Sequence, residues 1–399
     1  MSRSSAALNN LRVCAVVSVL AFHSVLAYLD YLPPTPFAFD HPPYRWTAFP
    51  MLDAQRFIGF DLFCGFQDVY LMSLMFFLSG VFVWPSIARK GEAAFLQGRF
   101  LRLCIPAGLV VLVLMPLAHY ATYRVGAVDR GIEAFFNHWL ALPFWPSGPP
   151  WFLWQLFVLN IAAAALCNVA PGWCKRLGQM SAAAGANPGR FFWVLLACSA
   201  LAYVPLALVF GPLRWFEYGI FAFQLSRPLH YAVYFFAGFA IGVYGFERGL
   251  LSAEGLLMRR WPVWLVAAVV GFGLWIGLTA YWLQEGGLVP EIAAHYAFTL
   301  SCASSCFAFF ALFLRFAARR TPLFDKAAEN AYGMYLVHYV FVVWLQYALL
   351  GAALPAIAKG LFVFAGVLAL SWTATSALRR APIAWRVIGT EPEILRRVG

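Results

Sequence analysis

Arg12 and His23 stand 11 residues apart in one apolar run. At roughly 100° and 1.5 Å per residue their angular offset is about 20° and their axial rise about 16 Å, so both project from one helix face. A neutral imidazole inside such a run is suited to removing a proton from a hydroxyl group. A second histidine, His338, follows Tyr335 by three residues in Asn330-Ala-Tyr-Gly-Met-Tyr-Leu-Val-His338, which places both on one helix face and points to a polar cavity. Taken singly, each residue has a plainer reading: a histidine hydrogen-bonded between helices, an arginine anchoring a helix end. The pairing on one face favours chemistry.

Two further groups complete the candidates. Arg89 and Lys90, then Arg99 and Arg102 at i, i+3, form a basic cluster able to hold phosphates, since arginine forks match them bidentately. Anchoring to anionic lipid heads is the plainer alternative. Gly148-Pro-Pro-Trp151-Phe-Leu-Trp154 offers aromatic rings for stacking on a sugar, or an aromatic girdle at the membrane surface. The eight cysteines have no zinc-type spacing, and Cys302 and Cys306 at i, i+4 read as packing, so no metal site is expected.

The elements that carry these residues follow from composition. Of the 399 residues 63% are hydrophobic and only 11% charged, and the mean hydropathy is +0.74. Soluble globular chains are nearer half apolar and a quarter charged, and disordered or disulfide-stapled chains differ more still. The fold class expected is therefore all-α, a polytopic transmembrane helical bundle in one domain over 1–399. Apolar runs predict ten helices near 10–30, 68–87, 100–122, 151–170, 191–210, 228–246, 261–283, 295–316, 331–350 and 357–378. The first lacks a cleavage site and is read as a mature helix.

With both termini cytoplasmic, all but seven of the 28 Lys and Arg lie inside, the exceptions being Arg45, Arg56, Arg124, Arg130, Arg214, Arg227 and Lys359. This satisfies the positive-inside rule. It also accounts for the net charge of +11 without nucleic acid as a partner. Arg12 is then expected at the inner surface and His23 near the midplane. Residues 31–67, with an aromatic stretch from Arg56 to Phe66 expected to lie flat at the interface, and residues 123–150 form long outer loops. Gly238/Gly242 and Gly273/Gly277 read as helix-packing pairs. All 17 carboxylates lie in loops or at the ends of predicted helices, Asp30 and Asp68 being the deepest, so the acidic relay usual in proton-coupled transporters is not visible.

Taken together the segments resemble the membrane-bound acyltransferase type 3 family. The matching residues are Arg12 and His23, Phe76-Phe-Leu-Ser-Gly80, the Arg-Lys loop leading to Arg99-Phe-Leu-Arg102 before Pro106, Trp151-Phe-Leu-Trp154 and Tyr332-Gly-Met-Tyr335-Leu-Val-His338. Within that family the chain is most similar to the branch acting on periplasmic glucans. The resemblance implies a bacterial inner-membrane enzyme moving an acyl group, commonly acetyl or succinyl, from cytoplasmic acyl-CoA to a hydroxyl of an extracytoplasmic glycan. It implies His23 as the catalytic histidine with Arg12 as its motif partner, Arg89, Lys90, Arg99 and Arg102 on the donor side, and Trp151, Trp154, Tyr335 and His338 around the acceptor cavity. Acyl-CoA would be a co-substrate, with no bound cofactor. Ser18 or Ser24 as a covalent acyl carrier is an alternative. Only residues 379–399 follow the last predicted helix, so the bundle is expected to finish the reaction itself. A transporter or flippase for a lipid-linked sugar is the alternative function, and a non-catalytic sensor would leave Arg12 and His23 unused.

Overall fold

The computed structural model describes residues 2–33, 35–39 and 41–381; Arg386, Arg396 and Arg397 of the basic tail lie outside them. The helices are α1 (Arg3–Val25), α2 (Ile58–Val81), α3 (Val83–Lys90), α4 (Glu92–Gly126), α5 (Ile132–Ala141), α6 (Trp151–Val169), α7 (Pro171–Ala186) and α8 (Pro188–Phe210). A hairpin, β1 (Trp215–Tyr218) and β2 (Phe221–Gln224), precedes α9 (Pro228–Tyr244), α10 (Trp261–Glu285), α11 (Leu288–Phe316), α12 (Pro322–Leu349) and α13 (Ala356–Leu378).

All ten predicted spans correspond to helices. Eight helical runs are long and apolar enough to cross a membrane, α9 is a shorter apolar helix of 17 residues, and α12 is long but opens on the charged Asp325, Lys326 and Glu329. The central span of α11 is 78% buried inside the bundle, whereas that of α10 is only 17% buried and exposes Val263, Val266, Val269, Val270 and Leu274. An outward apolar stripe of this kind suits contact with lipid rather than water.

Three expectations are corrected. First, α1 starts at Arg3 rather than near residue 10, because the Ser2 hydroxyl accepts from the Ser5 N–H at 3.1 Å and caps it. Ser4 and Asn10 are tolerated because they bond the Ala253 N–H and the Ala317 and Arg319 carbonyls. Arg12 is therefore interior to α1 and His23 sits in its last turn, not midway. Second, α2 begins at Ile58, so the aromatic stretch forms its first turns instead of lying flat. This puts two carboxylates within α2: Asp61, which accepts the Asp30 N–H at 2.9 Å, and Asp68, which Arg227 grips at 2.8 and 2.5 Å. Third, Gly273 and Gly277 face open space.

Gly80, Gly238 and Gly242 do pack α2 against α9. A Cβ at Gly80 would fall 2.0 Å from the Phe235 carbonyl oxygen, and one at Gly238 2.1 Å from that of Phe77. Three elements were not foreseen: α5, α7 and the hairpin. The hairpin pairs Trp215 with Gln224 and takes the Trp145 N–H on the Gly219 carbonyl at 2.7 Å.

In α4 the helix widens into π-turns over Phe100–Cys104 and Val110–Leu114, each just before or around a proline (Pro106, Pro116). Proline lacks the N–H that the carbonyl four residues earlier needs. For Pro106 that carbonyl belongs to Arg102, and the Tyr332 hydroxyl of α12 donates to it instead.

Candidate active site

His23 and His338 meet where α1 crosses α12. His338 Nε2 lies 3.3 Å from His23 Nδ1, with ring centroids 5.0 Å apart. His23 Nδ1 is also 2.8 Å from the Val19 carbonyl of its own helix, and His338 Nδ1 is 2.7 Å from that of Tyr335. Tyr339 sets its ring edge against His23 at 5.5 Å. Gln346, two turns further along α12, donates to the His23 and Ser24 carbonyls at 3.0 and 3.1 Å, fixing the last turn of α1. His338 is fully buried and His23 only partly so. His23 Nε2 has no hydrogen-bond partner among the described residues.

Toward the basic end of the same helix, Arg12 stacks over Phe82 at 5.1 Å and Arg99 over Phe95 at 5.1 Å. Arg99 lies within the electrostatic reach of both Arg12 and Arg102. None of the three guanidinium groups has an ion pair among the described residues. Arg12 and Arg102 are exposed although both belong to long apolar helices. Three converging, unneutralised cations repel one another, and a polyanion is the ligand that would relieve this. Arg89 and Lys90 are exposed on α3, and among the described residues no hydrogen bond or ring contact joins them to this group.

A family model described as an acyltransferase domain matches residues 5–376. The chain belongs to the acyltransferase 3 family. No curated protein and no solved structure matches it. The match runs from before Arg12 to beyond His338, so this multi-pass membrane acyltransferase has both clusters within its family domain.

The remaining candidates of the acyltransferase divide between two places. Tyr335 shares the face of His338, and its hydroxyl donates to the Pro149 carbonyl, tying α12 to the turn that opens α6. Trp151 lies 5.9 Å from Tyr231 and 5.5 Å from Trp215, and Trp154 5.3 Å from Phe221. These two tryptophans hold the hairpin to α6, and among the described residues no ring contact joins them to His23. Ser24 is buried and donates to the Leu20 carbonyl at 2.7 Å, which leaves its hydroxyl engaged.

Sequence reasoning missed a chain of contacts that runs from the His23 ring through Tyr339. Tyr339 donates to the Thr47 carbonyl at 3.3 Å, and its ring lies 5.9 Å from His119. His119 is in turn flanked by Trp46 at 4.9 Å and Trp139 at 5.8 Å. The signal available was weak: His119 is a lone polar residue in an apolar run. Missed too was the Arg227 pair with Asp68, whose guanidinium stacks over Phe298 at 5.1 Å.

Proposed function

We propose that this acyltransferase moves an acetyl or succinyl group from cytoplasmic acyl-CoA to a hydroxyl of an extracytoplasmic glycan, in the inner membrane of a bacterium. The observation that carries this reading is that α1 bears both a His23 imidazole nitrogen without a hydrogen-bond partner and Arg12, and that Arg99 of α4 lies within reach of both Arg12 and Arg102, with no ion pair on any of the three among the described residues. The CoA phosphates would lie on Arg12, Arg99 and Arg102, and the pantetheine arm would run along α1 toward His23, which the 11-residue spacing sets about 16 Å away. The glycan would approach from the opposite side, past the loop that carries Thr47 and the α5 helix.

The reaction then needs one base. His23 takes the proton of the acceptor hydroxyl as that oxygen attacks the thioester carbonyl; the C–S bond breaks, an ester forms, and the proton passes to the leaving thiolate. Positioned bases of this kind contribute about 10²–10⁴ in rate. The first experiment is binding and turnover of labelled acetyl-CoA and succinyl-CoA by the purified protein beside His23→Ala. Saturable donor binding in both proteins, with thioester breakdown lost only in the variant, is the expected result. Full turnover by a correctly inserted His23→Ala protein would remove His23 as the base, and absence of donor binding would return weight to a flippase.

A further inference from the structure

We infer that His338 is a positioning residue that fixes which nitrogen of His23 acts as base. A carbonyl oxygen can only accept a hydrogen bond, so the ring nitrogen 2.7 Å from the Tyr335 carbonyl, His338 Nδ1, carries a proton. In the neutral ring its Nε2 is then a bare lone pair. The same reasoning applied to the Val19 carbonyl, 2.8 Å away, puts a proton on His23 Nδ1. That N–H also faces the His338 lone pair at 3.3 Å, so the single proton is shared between two acceptors. The lone pair of His23 is thereby directed to Nε2, the nitrogen without a partner.

The arrangement does more than select a tautomer. When His23 accepts a proton at Nε2 and becomes an imidazolium, its Nδ1–H bond to His338 strengthens, because charged donors make the stronger hydrogen bonds. A carboxylate fills that position in the serine-protease arrangement. Here the partner is a neutral imidazole on α12, itself held by a backbone carbonyl. Of the other rings beside His23, that of Phe22 carries no polar atom and that of Tyr339 has its hydroxyl committed to Thr47, while Gln346 reaches the His23 backbone. His338, expected from the sequence to line the acceptor cavity, has no exposed surface and acts through His23 instead.

This inference rests on His23 being the base of the proposed transfer. His338→Phe keeps a ring but has no lone pair; His338→Gln can offer an amide oxygen near the same place. The expected result is a loss in kcat of about 10²-fold or more for His338→Phe with the KM for donor unchanged, and recovery to within about tenfold in His338→Gln. Both variants are compared with wild type for thermal midpoint and monodispersity. In addition, nitrogen NMR of protein labelled at histidine should show His23 and His338 each protonated at Nδ1 and bare at Nε2. An Nε2 proton on either ring, or undiminished kcat in a folded His338→Phe protein, would overturn the positioning role. No transfer by wild-type protein would overturn the proposed function instead, while the protonation pattern would still decide the arrangement of the two rings.

Discussion

Arg99 and Gln346 make opposite demands on the site, and substitutions should separate them. Arg99 has no ion pair among the described residues and lies beside two like charges; its alanine variant gives up the stacking on Phe95 and is relieved of one mutual repulsion. Donor binding should weaken, with the KM for acyl-CoA raised about tenfold and the thermal midpoint unchanged or higher, measured by donor titration alongside melting. Gln346 is buried and ties off two carbonyls of the last turn of α1. Gln346→Leu should cost about 1–3 kcal/mol in stability and lower kcat by letting His23 wander, with donor affinity intact. That Arg12 and His23 ride on one helix was legible in the sequence, since within an α-helix spacing converts directly into angle; the π-turn over Phe100–Cys104 that alters this conversion between Arg99 and Arg102 was not. Gln346, Tyr339, Thr47 and His119 were not, because their position depends on which turn of α12 or of the outer loop faces α1, and local periodicity does not encode that.

At the scale of elements, α2 and α9 approach until only glycine fits. Gly80→Ala would set a methyl group against the backbone of Phe235, 2.0 Å from its carbonyl oxygen, which a side-chain rotation cannot relieve. A loss of about 1–3 kcal/mol or more is expected, seen as a lower thermal midpoint in detergent, whereas Gly273→Ala on lipid-facing α10 should be neutral. The hairpin offers a test by pH. Burial pushes the Glu217 carboxyl on β1 up to about 7, so the folded state holds its proton more tightly than the unfolded chain does. Stability on this account is highest below the unfolded carboxyl pKa and falls as pH rises through about 7. Glu217→Gln should accordingly raise the thermal midpoint at pH 8 and leave it unchanged at pH 4. The helices that answer to the ten apolar runs were legible, eight of them long and apolar enough to cross a membrane, yet the starts of α1 and α2 were not. Ser4, Asn10, Asp61 and Asp68 look like loop residues until their partners at Ala253, Ala317, Asp30 and Arg227 are known. The amphipathic α5 and α7 and the hairpin lack any long apolar run, which is the signal that found the rest.

For the whole molecule, the loop between α1 and α2 is the part that composition least disclosed, and it is linked to the His23 ring through Tyr339, whose hydroxyl donates to the Thr47 carbonyl. It carries six prolines and is pinned at several points. Arg56 donates to the carbonyls of Leu29, Asp30, Leu32 and Pro33, the Trp46 ring stacks on Phe39 at 4.2 Å, and Asp53 forms an ion pair with Lys359 of α13 at 2.7 Å. Neither partner of that pair shows more than 2% of its side chain, so each charge depends on the other for its solvation. Asp53 also accepts the Gln55 N–H at 2.8 Å, which completes its shell. Removing one partner therefore leaves a buried, uncompensated charge: Lys359→Met or Asp53→Leu alone should cost about 3–5 kcal/mol. Removing both should restore most of that loss, because two apolar side chains of similar volume need no solvation at all. The cycle of four proteins, followed by thermal midpoint in detergent, should give singles well below wild type and a double variant near it. If each single substitution were harmless, the pair would not be holding the loop. If the double variant fell as far as the sum of the singles, the charges would not be neutralising each other, and the fold of this loop would have to rest on its other contacts, those of Arg56, Trp46 and Thr47 among them.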